Sequence, residues 1–379
     1  MWKLTEGNFT FVATEPIPQE RLQMGYADMN NAFPFVLRTY ESHEAEVAAA
    51  NLAQDCDVII TGSAPEKYTI DRIKNNKLTF RYAERIYKRG LWRALSPKGI
   101  HYIHEHHTQY KDMPLYMLCS SAYTAWDYAI QGAYLNKTFK WGYFPEITLY
   151  RDIEKIISQK YGQQATLHSV PRILWAGRLL SWKHPEVAVI VSQELKKKGF
   201  TFELDIIGVG ELESKLRQQI QKKQLQDCVH MLGAMKPADV RKHMEQADIF
   251  LFTSDFHEGW GAVLNESMSS GCAVVASHAI GSVPFMIQDG ENGLIYKNGD
   301  QHALNAAVQL LLQKPEFRRS LGIQAYRTIA DMWNAKTAAG RFITLCESIQ
   351  ENKEIPFTTG PCSRAEPIPQ WKMFCACKR

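Results

Sequence analysis

From Arg172 to Ala276 short apolar runs alternate regularly with helical patterns, and this alternation constrains the fold more than any other feature of the chain. Arg172–Ala176, Phe202–Ile207, Val229–Gly233, Asp248–Thr253 and Ala273–Ala276 read as strands. Between them His184–Lys198, with Pro185 near its first turn, Leu212–Lys223, Pro237–Gln246 and Ala262–Ser270 read as helices. The runs are apolar without strict alternation, as suits strands covered on both faces. Successive strands joined through helices must run parallel, so this half is an α/β sheet with helices on both sides. The first half repeats the pattern less cleanly. Phe9–Ala13, Asp57–Thr61, Leu78–Tyr82 and Leu115–Cys119 read as strands, Glu44–Gln54 and Tyr123–Gln131 as helices, and Lys140–Pro145 as a strand and turn. A chain of 379 residues suits two cores better than one. The expected division is residues 1–150, a polar connection 151–170, a second domain 171–349 and a Pro/Gly-rich tail 350–379.

Open parallel sheets bind ligands outside the carboxyl ends of their strands. The most chemically loaded stretch falls there: His257-Glu258-Gly259-Trp260-Gly261-Ala262-Val263-Leu264-Asn265-Glu266. Its glycines let a phosphate approach the backbone, and the following helix start offers free N–H groups. Carboxylates only accept hydrogen bonds, so Glu258 and Glu266 suit the hydroxyls of a sugar or ribose better than a phosphate. Gly177-Arg178 and Lys183, after the first strand of this half, set two cations at the same edge. They fit a diphosphate, although taken alone they are equally two surface cations. Gly208-Val209-Gly210 begins a dinucleotide fingerprint, but Glu213 stands where its third glycine belongs. An NAD site is thereby disfavoured, while a close backbone approach to a ligand is not. The combination points to a nucleotide-sugar pocket.

The net charge of +4 is unevenly spread: Glu66–Lys111 holds eleven Lys/Arg against four Asp/Glu, interleaved with tyrosines and Trp92. Either these are solvated helix faces or they form a surface for anionic lipid headgroups or a pyrophosphate-bearing acceptor. No nucleic-acid motif accompanies them. His101, His104, His106 and His107 do not form a zinc motif and read as solvated. Glu84-Arg85 follows a strand at the ligand edge of the first half, as an acceptor contact or a structural ion pair. The eight cysteines are scattered, and Cys375 and Cys377 have no second pair at zinc spacing. There is no nucleophile elbow or P-loop. No run is long enough to span a membrane and the start is not a signal peptide, so a cytosolic chain, peripheral on the inner face of the membrane at most, is expected.

Gly177-Arg178-Leu179-x3-Lys183, Ile206-Ile207-Gly208-x-Gly210, Ala247-Asp248-Ile249-Phe250, Glu258-Gly259-x-Gly261-x4-Glu266 and Asp289-Gly290-Glu291-Asn292-Gly293-Leu294 together resemble the GT-B glycosyltransferases of family 4. The resemblance covers most of 172–349. It implies two Rossmann-like domains with parallel sheets facing a cleft, and hexosyl transfer from a nucleotide diphosphate sugar to a glycan or lipid-linked acceptor with retention. No metal ligand set is evident in the sequence, and no cofactor is expected. The resemblance assigns Arg178 and Lys183 to the diphosphate, Glu266 to the ribose hydroxyls, and Glu258 to the donor sugar or the chemistry beside it. Gly177 and Gly208 line the donor, Gly259, Trp260 and Gly261 offer backbone N–H groups, and the strand at Leu232 edges the base. Arg178, Lys183 and Glu258 are the expected catalytic set; Glu84 and Arg85 are the candidate acceptor contacts. This sequence departs from the family pattern at His184, where glycine is usual, and at Ser282 and Phe285, in place of a glycine and a glutamate. The first strand and glycine-rich loop of the family's N-terminal domain are not evident; Trp2-Lys3-Leu4 reads as the tail of a first helix. The alternatives are a non-catalytic sugar-nucleotide-binding protein of the same fold and a membrane or nucleic-acid adaptor acting through the 66–111 segment.

Overall fold

The computed structural model describes residues 1–379 apart from 24, 26, 148, 150–152, 161–169 and 378–379. Much of the expected 151–170 connection therefore lies outside the described residues; the described part holds a helix, Ile153–Lys160. The chain forms two compact units, Met1–Trp141 with Lys336–Pro367, and Gly142–Ala335 with Ile368–Arg379.

The second unit is built on strands β7 (Arg172–Ala176), β8 (Glu203–Ile207), β9 (Val229–Gly233), β10 (Ile249–Phe252), β11 (Ala273–Ser277) and β12 (Leu294–Tyr296). They pair in the order β12-β11-β10-β7-β8-β9, every pair parallel. Successive side chains enter opposite layers. Ile249 and Leu251 join one core with Ile173, Trp175, Leu204 and Val275, while Phe250 and Phe252 join another with Leu174, Val274, Leu264 and Trp260. Both faces are thus apolar and covered, which is why these strands read as unbroken hydrophobic runs. The order reverses between β7 and β10, the position at which open parallel sheets bind their ligands.

In the first unit, β1 (Phe11–Ala13) and β2 (Val36–Arg38) form a separate parallel pair. Strands β3 (Ile59–Thr61), β4 (Thr79–Ala83), β5 (Leu115–Cys119) and β6 (Thr138–Lys140) form a four-stranded parallel sheet in sequence order. Residues 2–7 are turns rather than helix. The segment expected to close the second domain and start a tail packs here instead. Phe342, Leu345 and Cys346 of helix Ala335–Gln350, together with Cys362, meet Leu78, Phe80, Leu118 and Phe139. The edge of β6 is then covered by the same segment: Lys140 N–H donates to the Ser363 carbonyl and Cys362 N–H to the Lys140 carbonyl, both at 2.8 Å. Apolar helix face and unpaired strand edge are satisfied together, which explains the placement.

Candidate functional site

The switch point of the six-stranded sheet is lined by backbone brought unusually close. Gly208 has φ +134°, and a Cβ there would sit 1.9 Å from the Gly177 carbonyl oxygen. Gly261 has φ +81°, and its Cβ would lie 2.3 Å from Cζ of Phe252. A side chain at Gly208 would push its loop off Gly177, and one at Gly261 would collide with the Phe252 ring. Gly208 N–H donates to the Gly233 carbonyl at 2.8 Å, which draws the end of β9 beside Leu232 into the same edge.

Onto this cradle the loops deliver charge. Lys183 Nζ lies 2.6 Å from Glu258 Oε2, with the two side chains 14% and 11% exposed, so the pair is largely desolvated. Ser254 Oγ donates to the same carboxylate oxygen at 2.9 Å, and Lys183 also lies over the Trp182 ring, 4.4 Å from its centroid. Such a pair is held firmly, because separating its members leaves a poorly solvated charge. Arg178 is exposed beside it and makes no ion pair among the described residues. Glu266 is partly buried and receives no hydrogen bond at its carboxylate among the described residues. Burial raises its pKa, partly offset by Arg241. A carboxylate in that state suits incoming hydroxyl donors.

Trp260 is fully buried. Its indole N–H donates to Asn265 Oδ1 at 2.9 Å, and its ring packs with Phe285 and Trp333. Its side chain is therefore committed to the core of this unit and offers nothing to a ligand. The departure at Phe285 belongs to the same packing, stacking on Trp333 at 6.1 Å and 12°, whereas Ser282 is fully buried with its hydroxyl unpartnered among the described residues.

Sequence reasoning missed Thr253, Ser254, Asp255 and Glu186. Trp175 Nε1 donates to Thr253 Oγ1, which spans the Lys183 and His184 carbonyls at 2.7 and 3.1 Å. Asp255 N–H donates to the Trp182 carbonyl at 3.0 Å. These contacts sew the two loops together. The available signal was three consecutive polar residues at the carboxyl end of a fully apolar strand.

In the first unit Arg85 is buried in an ion pair with Asp127, at 3.1 Å with side chains 1% and 0% exposed. Glu84 pairs with Lys88. The geometry is that of the structural alternative for Arg85. Two more of the eleven basic residues of 66–111 are likewise internal. Arg72 is fully buried and donates to the carbonyls of Ala53, Cys56, Asp57 and Leu78, and Arg81 pairs with Glu66 at 2.9 Å. His106 and His107 are not the solvated groups expected. His106 Nδ1 meets Glu66 at 2.8 Å. His107 Nδ1 meets Arg81 at 3.0 Å and the Tyr134 hydroxyl at 2.8 Å, and burial beside Arg81 lowers its pKa to about 3, so it is neutral. Arg81, Glu66 and His106 line a polar cavity of about 280 Å³ at the carboxyl ends of β3 and β4. Among the described residues no three His, Cys, Asp or Glu side chains converge so as to hold a metal ion.

A parallel sheet of this order, with a glycine cradle and paired charges at its switch point, defines a Rossmann-type unit. Residues 159–328 match the model of the family described as glycosyl transferases group 1. The amylovoran biosynthesis glycosyltransferase AmsK of Erwinia amylovora is 36% identical over 155 residues, 40% of this chain and 38% of that protein. The putative colanic acid biosynthesis glycosyltransferase WcaL of Salmonella typhimurium is 32% identical over 136 residues, 35% of this chain and 33% of that protein. The chain thus spans well under half the length of these relatives. Among solved structures, a glycosyltransferase from Rickettsia africae aligns with TM-score 0.62 at 15% identity, covering 93% of each chain. Anabaena Alr3699/HepE, solved with UDP, aligns with TM-score 0.59 at 17% identity, covering 84% of this chain and 85% of that one. At these identities the likeness speaks for the fold, which is that of the GT-B glycosyltransferases.

Proposed function

We propose that the chain is a retaining glycosyltransferase that binds a nucleoside diphosphate sugar in its second unit and passes the sugar to a glycan or lipid-linked acceptor. The observation that carries this reading is the desolvated Lys183–Glu258 pair set between Gly177, Gly208 and Gly261 at the switch point. Cleaving the bond between the anomeric carbon and the phosphate oxygen leaves negative charge on the diphosphate. Lys183 and Arg178 oppose that charge, the effect that usually contributes most to such a barrier. The acceptor oxygen bonds to the anomeric carbon on the face the phosphate leaves, and its proton passes to a phosphate oxygen, so no separate base is required. Glu266 takes ribose hydroxyls and Glu258 a hydroxyl of the sugar. Relatives named for amylovoran and colanic acid biosynthesis support a glycan acceptor, and UDP in the HepE structure supports a uridine donor as the first to try. The Arg81–Glu66–His106 cavity is the polar opening at the ligand edge of the first unit, and we assign the acceptor there in preference to Arg85.

Around Trp92, 63% exposed, and Leu95, 80% exposed, lie exposed Arg89, Arg93, Lys98 and Ile100. Apolar side chains ringed by cations suit an anionic membrane surface. No helix among the described residues is long and apolar enough to cross a membrane. The test is a panel of UDP- and GDP-sugars, scored for binding and for slow hydrolysis, with vesicle flotation at low and high salt. Donor binding with turnover supports the enzyme reading. Binding without turnover leaves a sugar-nucleotide-binding protein, and no binding removes the proposal.

A further inference from the structure

The loop after β7 carries a histidine in a conformation that most residues with a Cβ avoid. His184 has φ 51° and ψ 50°, the left-handed region. Its ring is clamped from both sides: Nδ1 lies 3.0 Å from Glu186 Oε1 and Nε2 3.3 Å from Asp255 Oδ2. Carboxylates only accept, so both ring nitrogens must carry protons and the ring is an imidazolium. The charged and titratable groups facing it are Glu186 from its own helix start, and Asp255 and His257 from the loop after β10. Hydrogen bonds donated by the ring to Asp255 and Glu186 outweigh burial and hold its pKa up at about 9. Asp255 is also the hinge of the facing loop. Its Oδ1 accepts from the His257 N–H and Nδ1, both at 2.8 Å, and its carbonyl accepts from the Glu258 N–H at 3.1 Å.

We propose that His184 is a positioning residue of the donor site: as an imidazolium between Glu186 and Asp255 it locks loop 253–258 onto loop 177–184 and thereby sets the Lys183–Glu258 pair. The consequence for nucleotide binding rests on the donor-site reading given above; the latch itself is a property of the free protein. It makes the site sensitive to alkaline pH, since loss of the ring proton leaves two carboxylates facing one neutral imidazole that can donate to only one of them.

Two measurements test the latch, with His184→Asn and His184→Gly as variants that accept a left-handed backbone without the charge. In the free protein, NMR titration of the His184 ring is expected to give a midpoint near pH 9, moving down in Asp255→Asn. Amide exchange over 254–258 is expected to quicken about tenfold in both His184 variants at neutral pH. With UDP as probe, the wild-type protein is expected to bind about tenfold tighter than His184→Asn near pH 7, the ratio falling towards one by about pH 10. Taking the ratio removes the ionisation of UDP, which both measurements share. A ring titrating near its ordinary value, unchanged exchange over 254–258, or a binding ratio constant across pH overturns the proposal. Should the wild-type protein bind no UDP at all, the donor-site reading falls, while ring titration and exchange still decide the latch.

Discussion

Lys183 and Glu258 meet at 2.6 Å across the line where the six-stranded sheet reverses its order, one from the loop after β7 and one from the loop after β10. Neither residue's neighbours in sequence bring the other near; the contact exists because β7 and β10 are adjacent. The pair neutralises itself in the free protein and leaves Arg178 as the more accessible cation for an arriving diphosphate. Lys183→Ala is expected to lower turnover by about 100- to 1,000-fold, the range seen when one donor to a developing anion is removed. Lys183→Arg is expected to recover little, because a planar fork does not fill the place of a point charge between Glu258 and the Trp182 ring. Steady-state kinetics with the active donor decide it, and near wild-type kcat in Lys183→Ala would overturn the assignment.

Glu266 has a separate role if it holds ribose. Glu266→Ala is expected to weaken UDP binding about 10- to 100-fold, as loss of hydrogen bonds to a charged acceptor does. The sharper readout compares UDP with 2′-deoxy-UDP. Wild-type protein should prefer UDP and the variant should lose that preference. Equal weakening for both ligands would show that Glu266 acts on something other than the ribose.

The second unit was legible because its strands are covered on both faces and separated by helices whose ends carry clear signals such as Pro185 and Pro237. Period and punctuation then sufficed to place the loops bearing Gly177, Lys183 and Glu258 and the helix bearing Glu266. What remained hidden depends on three-dimensional neighbours. The packing of Phe342 and Cys362 on the first unit follows from an uncovered apolar face and an open edge at β6, features no local pattern announces. Arg72, Arg81 and Arg85 look like surface charge in a basic stretch, yet each is buried against carbonyls or a carboxylate. His184 was visible only as an unusual residue beside a lysine, because Asp255, its principal partner, is 71 positions away.

The buried pair of the first unit gives a stability prediction. Asp127 accepts from Arg85 Nε and Nη2 at 3.3 and 3.1 Å and from the Tyr87 N–H at 3.0 Å. Asp127→Ala leaves a guanidinium without its carboxylate in the core and is expected to destabilise the protein by about 3–5 kcal/mol. Urea unfolding followed by circular dichroism measures this. A loss below about 1 kcal/mol would mean that solvent reaches Arg85. The double variant Arg85→Leu with Asp127→Leu is expected to be less damaging than either single change.

Glu266 also predicts a conflict between stability and binding. Burial raises its pKa in the folded protein above the ordinary glutamate value of 4.5, so the ionised form is the one that folding disfavours. The folded state then holds its proton to higher pH than the unfolded chain, and this group's contribution to stability declines as pH rises from 4.5 through the folded pKa. Glu266→Gln keeps the shape and removes the charge. It is therefore expected to raise the melting temperature at neutral pH, with the gain shrinking as pH falls towards 4.5 and the native residue becomes protonated. The same variant should lose UDP affinity, because an amide is a weaker acceptor for ribose hydroxyls than a carboxylate. Melting curves at several pH values, with and without UDP, test both halves together. A pH-independent change in melting temperature would show that burial does not strain Glu266, and a stabilised variant that binds UDP as tightly as wild type would remove it from the donor pocket.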